Sequence, residues 1–532
     1  MRFKLSLIFY ILVATVAFIW FGCSTAPEGP EPTNKAPETY IANVPPVGDT
    51  IPAVTLVYWY GVDDDGFIAY YEWAHTADSV DPNQITDWDS IAATDDTMAL
   101  TVDDVDPSII VIDTLIDTTV VGIDTFIDST FTYFFTGYFY VRAYDNEGAV
   151  DPTPAWRGWN VYSVKPRIEI TAPDASSGML SHYLATDPIF FPKGDTPTVF
   201  ILDDTTALWK GVEVWWNRAD TLNQEGNDPI GYRFRIDNEN WSNWTDEDPA
   251  TAGDSYIYFT GPIADGMHTF HLQGRNASHI ESRIDSMCFY AVNPNIDDGK
   301  IIIALASGLT YNLNQFWYDT LMMKVRPNAD YEILNREFTQ PMFTHQDLQG
   351  VSLIIYIKDD MTTSDPGIKK DSLILWNYTN VGGKVWIFGL KMLNVLEPTM
   401  IGTQLIEERF GIEFFGISNT KTLRGVYPCW QAPNYNLPSD TLLVDEDHAF
   451  PSDTMLSLCE NYRSSDPNVE VIYHWFGNTP WNETPVGITH LDTQRDIQIA
   501  LFGFSGYCMH WDSLSYEPIA TIYDEMLTWF GL

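Results

Sequence analysis

Three groups of residues in this 532-residue chain have types and spacings that could do chemistry. The first is oxygen-rich. Asp63, Asp64 and Asp65 occupy one Gly-terminated turn, and Asp145, Glu147 and Asp151 fall in and just after another. Calcium takes about six to eight such hard oxygens, and extracellular sites of this kind are weak. Neither run has the alternate-position ligands of an EF-hand, and Asp, Asn and Gly are also the ordinary residues of tight turns. Calcium on these six residues is the one cofactor the sequence suggests; otherwise none is expected. The second group is aromatic. Trp215 with Trp216, Trp241 with Trp244, and Trp475 with Trp481 are spaced to stack on sugar rings, although most Trp in β modules is core. The third is His510-Trp511-Asp512, an imidazole and an acid late in the chain. The ten His form no H-x-x-x-H or H-E-x-x-H pair, so a zinc hydrolase has no ligand set. No G-x-x-x-x-G-K-[ST] or G-x-G-x-x-G loop is present to cradle a nucleotide.

The elements that must position these groups follow from composition and pattern. The chain is 45% hydrophobic and 14% aromatic, too apolar to remain disordered. Lys plus Arg number 28 against 73 Asp plus Glu, a net charge of −45 that repels phosphate backbones and excludes nucleic acid as a partner. At roughly 150 residues per domain the length implies three or four domains. The 32 Pro, 34 Gly and abundant Asp favour β modules joined by tight turns.

The N-terminus reads as an address. Met1-Arg2-Phe3-Lys4 is basic, Leu5 to Gly22 is apolar, and Cys23-Ser24-Thr25 follows. This is the layout of a secretory signal over 1–22. Gly22-Cys23 resembles a bacterial lipoprotein lipobox, although Trp20 and Phe21 depart from its usual residues. The resemblance implies cleavage before Cys23 and lipidation of its thiol; an uncleaved anchor is the alternative, since the apolar run can just span a bilayer. Residues 23–46, rich in Pro, Glu, Thr and Ala, read as an extended spacer. The remaining cysteines, Cys288, Cys429, Cys459 and Cys508, form no C-x-x-C motif. Cys429 and Cys459 could bridge within one insertion, or all four could be buried thiols.

Three modules follow. In 47–164, Val54 to Tyr60 is a β-branched and aromatic run ending in Gly61-Val62-Asp63-Asp64-Asp65-Gly66. Phe67 to Trp73 resumes as a strand, and Gly137 to Tyr144 leads into Asp145-Asn146-Glu147-Gly148. The Trp-x-Gly-x-Asp-x-Asp-Gly and Arg-Ala-x-Asp-x-x-Gly stretches resemble those of bacterial fibronectin type III-like domains, which implies an antiparallel β-sandwich. Within it, Ile112–Gly122 and Ile123–Tyr133 are two copies of one short repeat, too few for a solenoid, and read as a long hairpin. In 165–295, Tyr232 to Asp237, Trp241-Ser242-Asn243-Trp244 and Gly266 to Leu272 resemble the immunoglobulin-like surface modules of bacteria, a second sandwich.

From 296 to 532 the pattern changes. Lys300–Ala306, Ser352–Ile357 and Lys384–Gly389 are continuous apolar runs of the kind buried on both faces of a parallel sheet. Ile368 to Val381 reads as a helix stopped by Gly382-Gly383, Asp496 to Phe504 as a further strand, and Glu517 to Phe530 as a closing helix. Residues from about 410 to 495 look like an irregular insertion. The order resembles the class I glutamine amidotransferase-like superfamily, which implies a three-layer, flavodoxin-like α/β domain. Active members carry Cys or Ser on an elbow after the strand that follows the Gly-Gly stop. That place here reads Phe388-Gly389-Leu390-Lys391-Met392, with no nucleophile and no second glycine to ease the turn. His510 and Asp512 lie where the superfamily keeps its base and acid.

The expected architecture is therefore multidomain: two antiparallel β-sandwiches followed by an α/β domain. The expected function is a lipid-anchored envelope protein, outer-membrane or surface-exposed. It binds an envelope protein or glycan and is not an enzyme. The alternatives are an envelope hydrolase using the α/β domain and a carbohydrate- or calcium-dependent adhesin.

Overall fold

The structure, a computed structural model, describes residues 33–42, 49–99, 110–121, 124–170, 196–218, 229–245, 256–361, 366–397, 400–418, 420–429, 435–449, 454–477 and 482–532. Cys23, the signal segment and most of the spacer lie outside these residues. The chain divides into two compact units, one of residues 1–167, 220–231 and 275–282, the other of residues 168–219, 232–274 and 283–532.

In the first unit the strands are β1 (Glu38–Ile41), β2 (Thr50–Pro52), β3 (Val54–Val62), β4 (Ile68–Thr76), β5 (Asp89–Ile91), β6 (Asp95–Ala99), β7 (Val111–Val121), β8 (Asp124–Asp145) and β9 (Ala155–Val164). They form two sheets, β1-β3-β6 and β2-β9-β8-β4-β5, with β7 added on β8. Alternate residues point inward, so Val57 and Trp59 meet Tyr71, Phe139, Val141, Trp159 and Val161 in one core. Pairing is antiparallel except at β2, which runs parallel to β9. The repeat forms the expected hairpin, in register from Val111↔Phe134 to Val121↔Asp124. The spacer ends earlier than its composition suggests. Thr39 is buried and Ile41 half-buried, and this alternation makes Glu38–Ile41 a strand on β3 despite the Pro and Glu around it.

The second unit opens with β10 (Ile168–Ile170), β11 (Thr198–Phe200), β12 (Val212–Arg218), most of β13 (Pro229–Ile236), β14 (Tyr256–Phe259), most of β15 (Gly266–Asn276) and β16 (Asp285–Val292). Sheets β10-β12-β14 and β11-β16-β15-β13 make a second sandwich around Trp216, Tyr232, Phe259, Phe270 and Phe289. Again one strand departs from antiparallel pairing, β11 lying parallel to β16.

The remainder of this unit contains β17 (Lys300–Leu305), α1 (Tyr311–Val325), β18 (Tyr331–Asn335), β19 (Val351–Lys358), α2 (Ile368–Asn380), β20 (Lys384–Gly389), α3 (Leu393–Leu396) and α4 (Met400–Gln404). It continues with β21 (Phe414–Ile417), β22 (Leu423–Pro428), β23 (Leu442–Leu443), β24 (Glu460–Arg463), β25 (Val469–Gly477), β26 (Pro485–Asp492), β27 (Ile497–Phe502) and α5 (Ile519–Trp529). Nine strands form one sheet, β18-β17-β19-β20-β27-β26-β25-β22-β23. The first five are parallel, and the apolar runs read from sequence are its central strands. Their side chains divide by parity. Ile301, Ile303, Leu353, Ile355, Trp386 and Phe502 face α1 and α5, whereas Ile302, Ile354, Tyr356, Val385 and Leu501 face α2. The α2 layer shares one apolar core with the second sandwich. Helix α2 stops where Gly382 takes φ +88°, a conformation open to glycine.

The expectation of an irregular insertion is corrected here. Residues 410–495 supply β22, β23, β25 and β26, which extend the parallel sheet in antiparallel fashion, and the separate ribbon β21–β24. Sequence patterning missed these strands because short segments such as Leu423–Pro428 are broken by turns and carry little periodicity.

Candidate functional site

In open α/β sheets ligands bind outside the carboxyl ends of the parallel strands, where the chain switches sides. Here β17 leads to α1 on one face and β19 to α2 on the other, so the switch point lies between Ala306-Ser307 and Lys358-Asp359-Asp360, all of them buried. Polar groups converge on it. The Asp359 carboxylate accepts hydrogen bonds from Asn314 Nδ2 at 2.8 Å, Tyr318 OH at 3.2 Å and Ser505 Oγ at 2.5 Å. Lys358 Nζ lies 2.5 Å from Asp360 Oδ1, and neither side chain is exposed. Cys508 N donates to Ser505 Oγ, and Cys508 Sγ lies 3.1 Å from Asp359 O. Burial is the largest influence on Asp359 and pushes its carboxyl up to about 6 against the pull of its three donors.

The turn after β20 is sharp and carries no Cys or Ser. Gly389 is required because a Cβ there would come within 2.6 Å of the Lys358 backbone. Leu390 N then bonds Lys358 O, and Lys391 takes φ +57° before α3 begins. The missing second glycine was expected to prevent so sharp a turn; Lys391 makes it in the left-handed region, where a side chain costs roughly 1 kcal/mol or more. From the insertion, buried Glu460 caps the turn, accepting from Leu393 N at 3.1 Å and Asn394 N at 2.8 Å. Burial raises this carboxyl to about 7 although three backbone N–H groups pull it down. Two thiols flank the region, Cys459 and Cys508, both fully buried and reduced. Burial holds the Cys459 thiol far above its usual range, with Cys508 and Glu460 adding to it. Phe388, Leu390, Met392, Phe504 and Met509 fill the surrounding space with no exposure.

The other sequence candidates are placed elsewhere. His510 does not pair with Asp512. Its Nδ1 lies 3.0 Å from Asp445 Oδ2, which His448 Nδ1 also approaches at 3.2 Å, and the His510 side chain is 74% exposed. Burial opposes ionisation of Asp445, but Asp447 N and the two imidazoles outweigh it and hold the carboxyl low. Asp512 instead caps a turn, accepting from Leu514 N and Ser515 N and Oγ. Of the two readings left open for Cys429 and Cys459, the bridge is not formed; both are free thiols, Cys459 buried and Cys429 half-buried.

The acidic turns bind protein. Asp145 accepts from Asn34 Nδ2, Glu147 N and Ala149 N, and Asp151 from Thr39 N and Thr153 N. Lys35 bonds Asp65 through its N–H and Asp64 through Nζ, and Asp63 accepts from Asp65 N. These carboxylates clasp the entering strand, and among the described residues no group of three or more metal-ligating side chains is placed to hold an ion. Of the tryptophans, Trp216 and Trp475 are core. Trp241 and Trp244 are half-exposed, but Arg233 lies over both rings at 5.0 and 4.4 Å and Arg235 over Trp241 at 4.7 Å. These guanidinium groups cover faces that a sugar would need. Trp481 lies outside the described residues, as does the Trp215 side chain.

No protein-family model and no curated protein matches the chain. Among solved structures it is similar to the fibronectin(III)-like modules of Clostridium thermocellum CbhA, at 12% identity over 48% of this chain and 95% of that one, with a TM-score of 0.18. The central fibronectin-III array of RIM-binding protein is similar at 9% identity over 49% and 72% of the two chains, TM-score 0.13. The extracellular domain of a hybrid two-component system from B. thetaiotaomicron is similar at 12% over 32% and 28%, TM-score 0.16. TM-scores this low carry no argument, and the sandwiches stand on the sheet orders above. Among the described residues no helix is long and apolar enough to cross a membrane.

Sequence reasoning missed Asp359, Asp360, Ser505, Cys508 and Glu460. A signal existed for the first two: Lys358 ends a buried strand and Asp359-Asp360 follow it directly, where a charged triplet has to be paired. Glu460 gave none, because its role depends on α3. A pH effect follows. The ordinary values are 3.8 for Asp and 4.5 for Glu, so the folded chain retains protons that the unfolded chain releases between about pH 4 and 7. The contribution of both groups to stability therefore falls as pH rises through that window. The Asp359→Asn, Glu460→Gln variant is expected to lose much of the wild-type gain in melting temperature between pH 8 and pH 5. An unchanged slope would rule out raised carboxyls.

Proposed function

We propose that the protein is a lipid-anchored, extracytoplasmic binding or structural component of the cell envelope, without catalytic activity. Acylated Cys23 tethers it to the outer membrane or cell surface, and the β-sandwiches carry the C-terminal domain toward an envelope protein or glycan. The parallel strand order, 2-1-3-4-5 when numbered along this domain, supports a flavodoxin-like reading. With the elbow at Lys391, it supports descent from the class I glutamine amidotransferase-like superfamily. Strand pairing of the acidic clasp with the entering segment suits a chain held by its N-terminus.

One observation carries the non-catalytic reading. Where the class I glutamine amidotransferase-like superfamily keeps a nucleophile, this chain has Lys391; the nearby Cys459 and Cys508 are fully buried, and burial pushes the Cys459 thiol well up. A thiol attacks as its thiolate, which burial suppresses. Iodoacetamide applied to the native chain at neutral pH is expected to leave Cys459 and Cys508 unmodified in the intact mass and to label both in guanidinium. Rapid native labelling of either, together with hydrolysis of glutamine or envelope glycan that Cys459→Ala or Cys508→Ala abolishes, would establish an enzyme instead.

A further inference from the structure

A cavity of about 380 Å³ opens between the ribbon β21–β24 and the strands β25 and β26. Its volume falls within the roughly 300–1,000 Å³ of small-molecule sites. Ile412, Phe414, Val469, Val471, Pro485 and Ile488 make its walls apolar. Besides the hydroxyls of Tyr462, Ser464 and Thr484, its polar side chains are Asn461 and Arg463. Asn461 is 95% buried, and its Nδ2 donates to no group in the protein. An amide left so is unfavourable, and a ligand acceptor removes that penalty. Arg463 stands two residues along the same strand, hence on the same face. It is exposed, lies 5.5 Å from the Phe414 ring, and has no carboxylate partner among the described residues.

Two donors at one end of an apolar cleft ask for an acceptor, and a cationic donor asks for an anion. In a chain of net charge −45, such a place is unusual and local. The adjoining cleft sets a limit on the ligand. It shares Ile412 and Ser464 with the cavity and is lined by Glu407, Glu413 and Asp466, with Arg495 already paired to Asp466 and Asp492. A second negative charge reaching there is repelled.

We propose that this cavity binds a small apolar monocarboxylate, its hydrocarbon or aromatic body against Phe414 and Ile488 and its carboxylate on Asn461 Nδ2 and Arg463. The site stands apart from the switch point at the carboxyl ends of the parallel strands and does not depend on the anchoring or non-catalytic readings.

Calorimetric titration of the full chain with 2-naphthoate tests it, with naphthalene-2,6-dicarboxylate and 2-naphthylmethylammonium as comparators. Saturable one-to-one binding of 2-naphthoate is expected, with the dicarboxylate weaker and the ammonium probe not bound. Arg463→Gln, at an exposed position that leaves folding intact, is expected to weaken binding about three- to tenfold, and Asn461→Leu by a similar factor. Absence of saturable heat, equal binding of the ammonium probe, or unchanged affinity in Arg463→Gln would each overturn the proposal.

Discussion

On the proposed lipid anchoring, a chain carrying Cys23→Ala is expected to leave the membrane fraction and to lack the mass of the acyl groups. The expectation rests on arithmetic rather than on any contact. Each buried methylene contributes about 0.8 kcal/mol, one acyl chain gives only marginal membrane binding, and two or more hold a protein stably. The chain's net charge of −45 opposes approach to anionic lipid, and among the described residues no helix can cross a bilayer. Loss of the thiol therefore changes location almost completely while leaving the melting behaviour of the folded units unaltered. Intact mass and membrane fractionation of wild type and variant check both halves. An unlipidated wild-type protein whose N-terminus is still Met1, or a variant that stays bound, would point to the uncleaved anchor.

Removing Asp371 is expected to produce the largest loss of stability. This carboxylate lies on α2 with no exposed surface and receives the Arg336 guanidinium on both oxygens at 2.5 Å, the Phe343 N–H at 2.9 Å and the Tyr356 hydroxyl at 2.8 Å. It thereby joins the end of β18, the loop before β19, β19 itself and α2. Alanine at 371 leaves a buried guanidinium against the Phe343 ring, 3.8 Å away, with its counter-charge gone. Breaking such a pair from one side costs about 3–5 kcal/mol, a large part of a domain's stability. Replacing both partners, as Arg336→Met with Asp371→Leu, should recover most of that loss, because the penalty comes from the stranded charge. Urea denaturation followed by tryptophan fluorescence measures both variants. If the double variant were as unstable as the single one, hydrogen bonds to Phe343 and Tyr356 would be the larger contribution.

What could be read before folding was what depends on neighbours in sequence. The runs Lys300–Ala306, Ser352–Ile357 and Lys384–Gly389 announced buried parallel strands because a strand covered on both faces has no polar side to show. Gly382-Gly383 announced a helix end, and the doubled repeat announced the β7–β8 hairpin. The acidic turns were visible too, but their partners were not: Asn34, Lys35 and Thr39 reach Asp145, Asp65 and Asp151 from a segment whose Pro-rich composition reads as spacer.

Alternation and charge along the chain thus determined the β modules, the parallel core and the absence of a Cys or Ser at the elbow. Only the tertiary structure decided that Glu460 would cross from the insertion to cap that turn, that Cys508 would sit beside Asp359, and that Asn461 Nδ2 would be buried without an acceptor. Each of those depends on which distant segments share a low-dielectric interior. Burial and pairing are properties of the packed chain, and no local pattern records them.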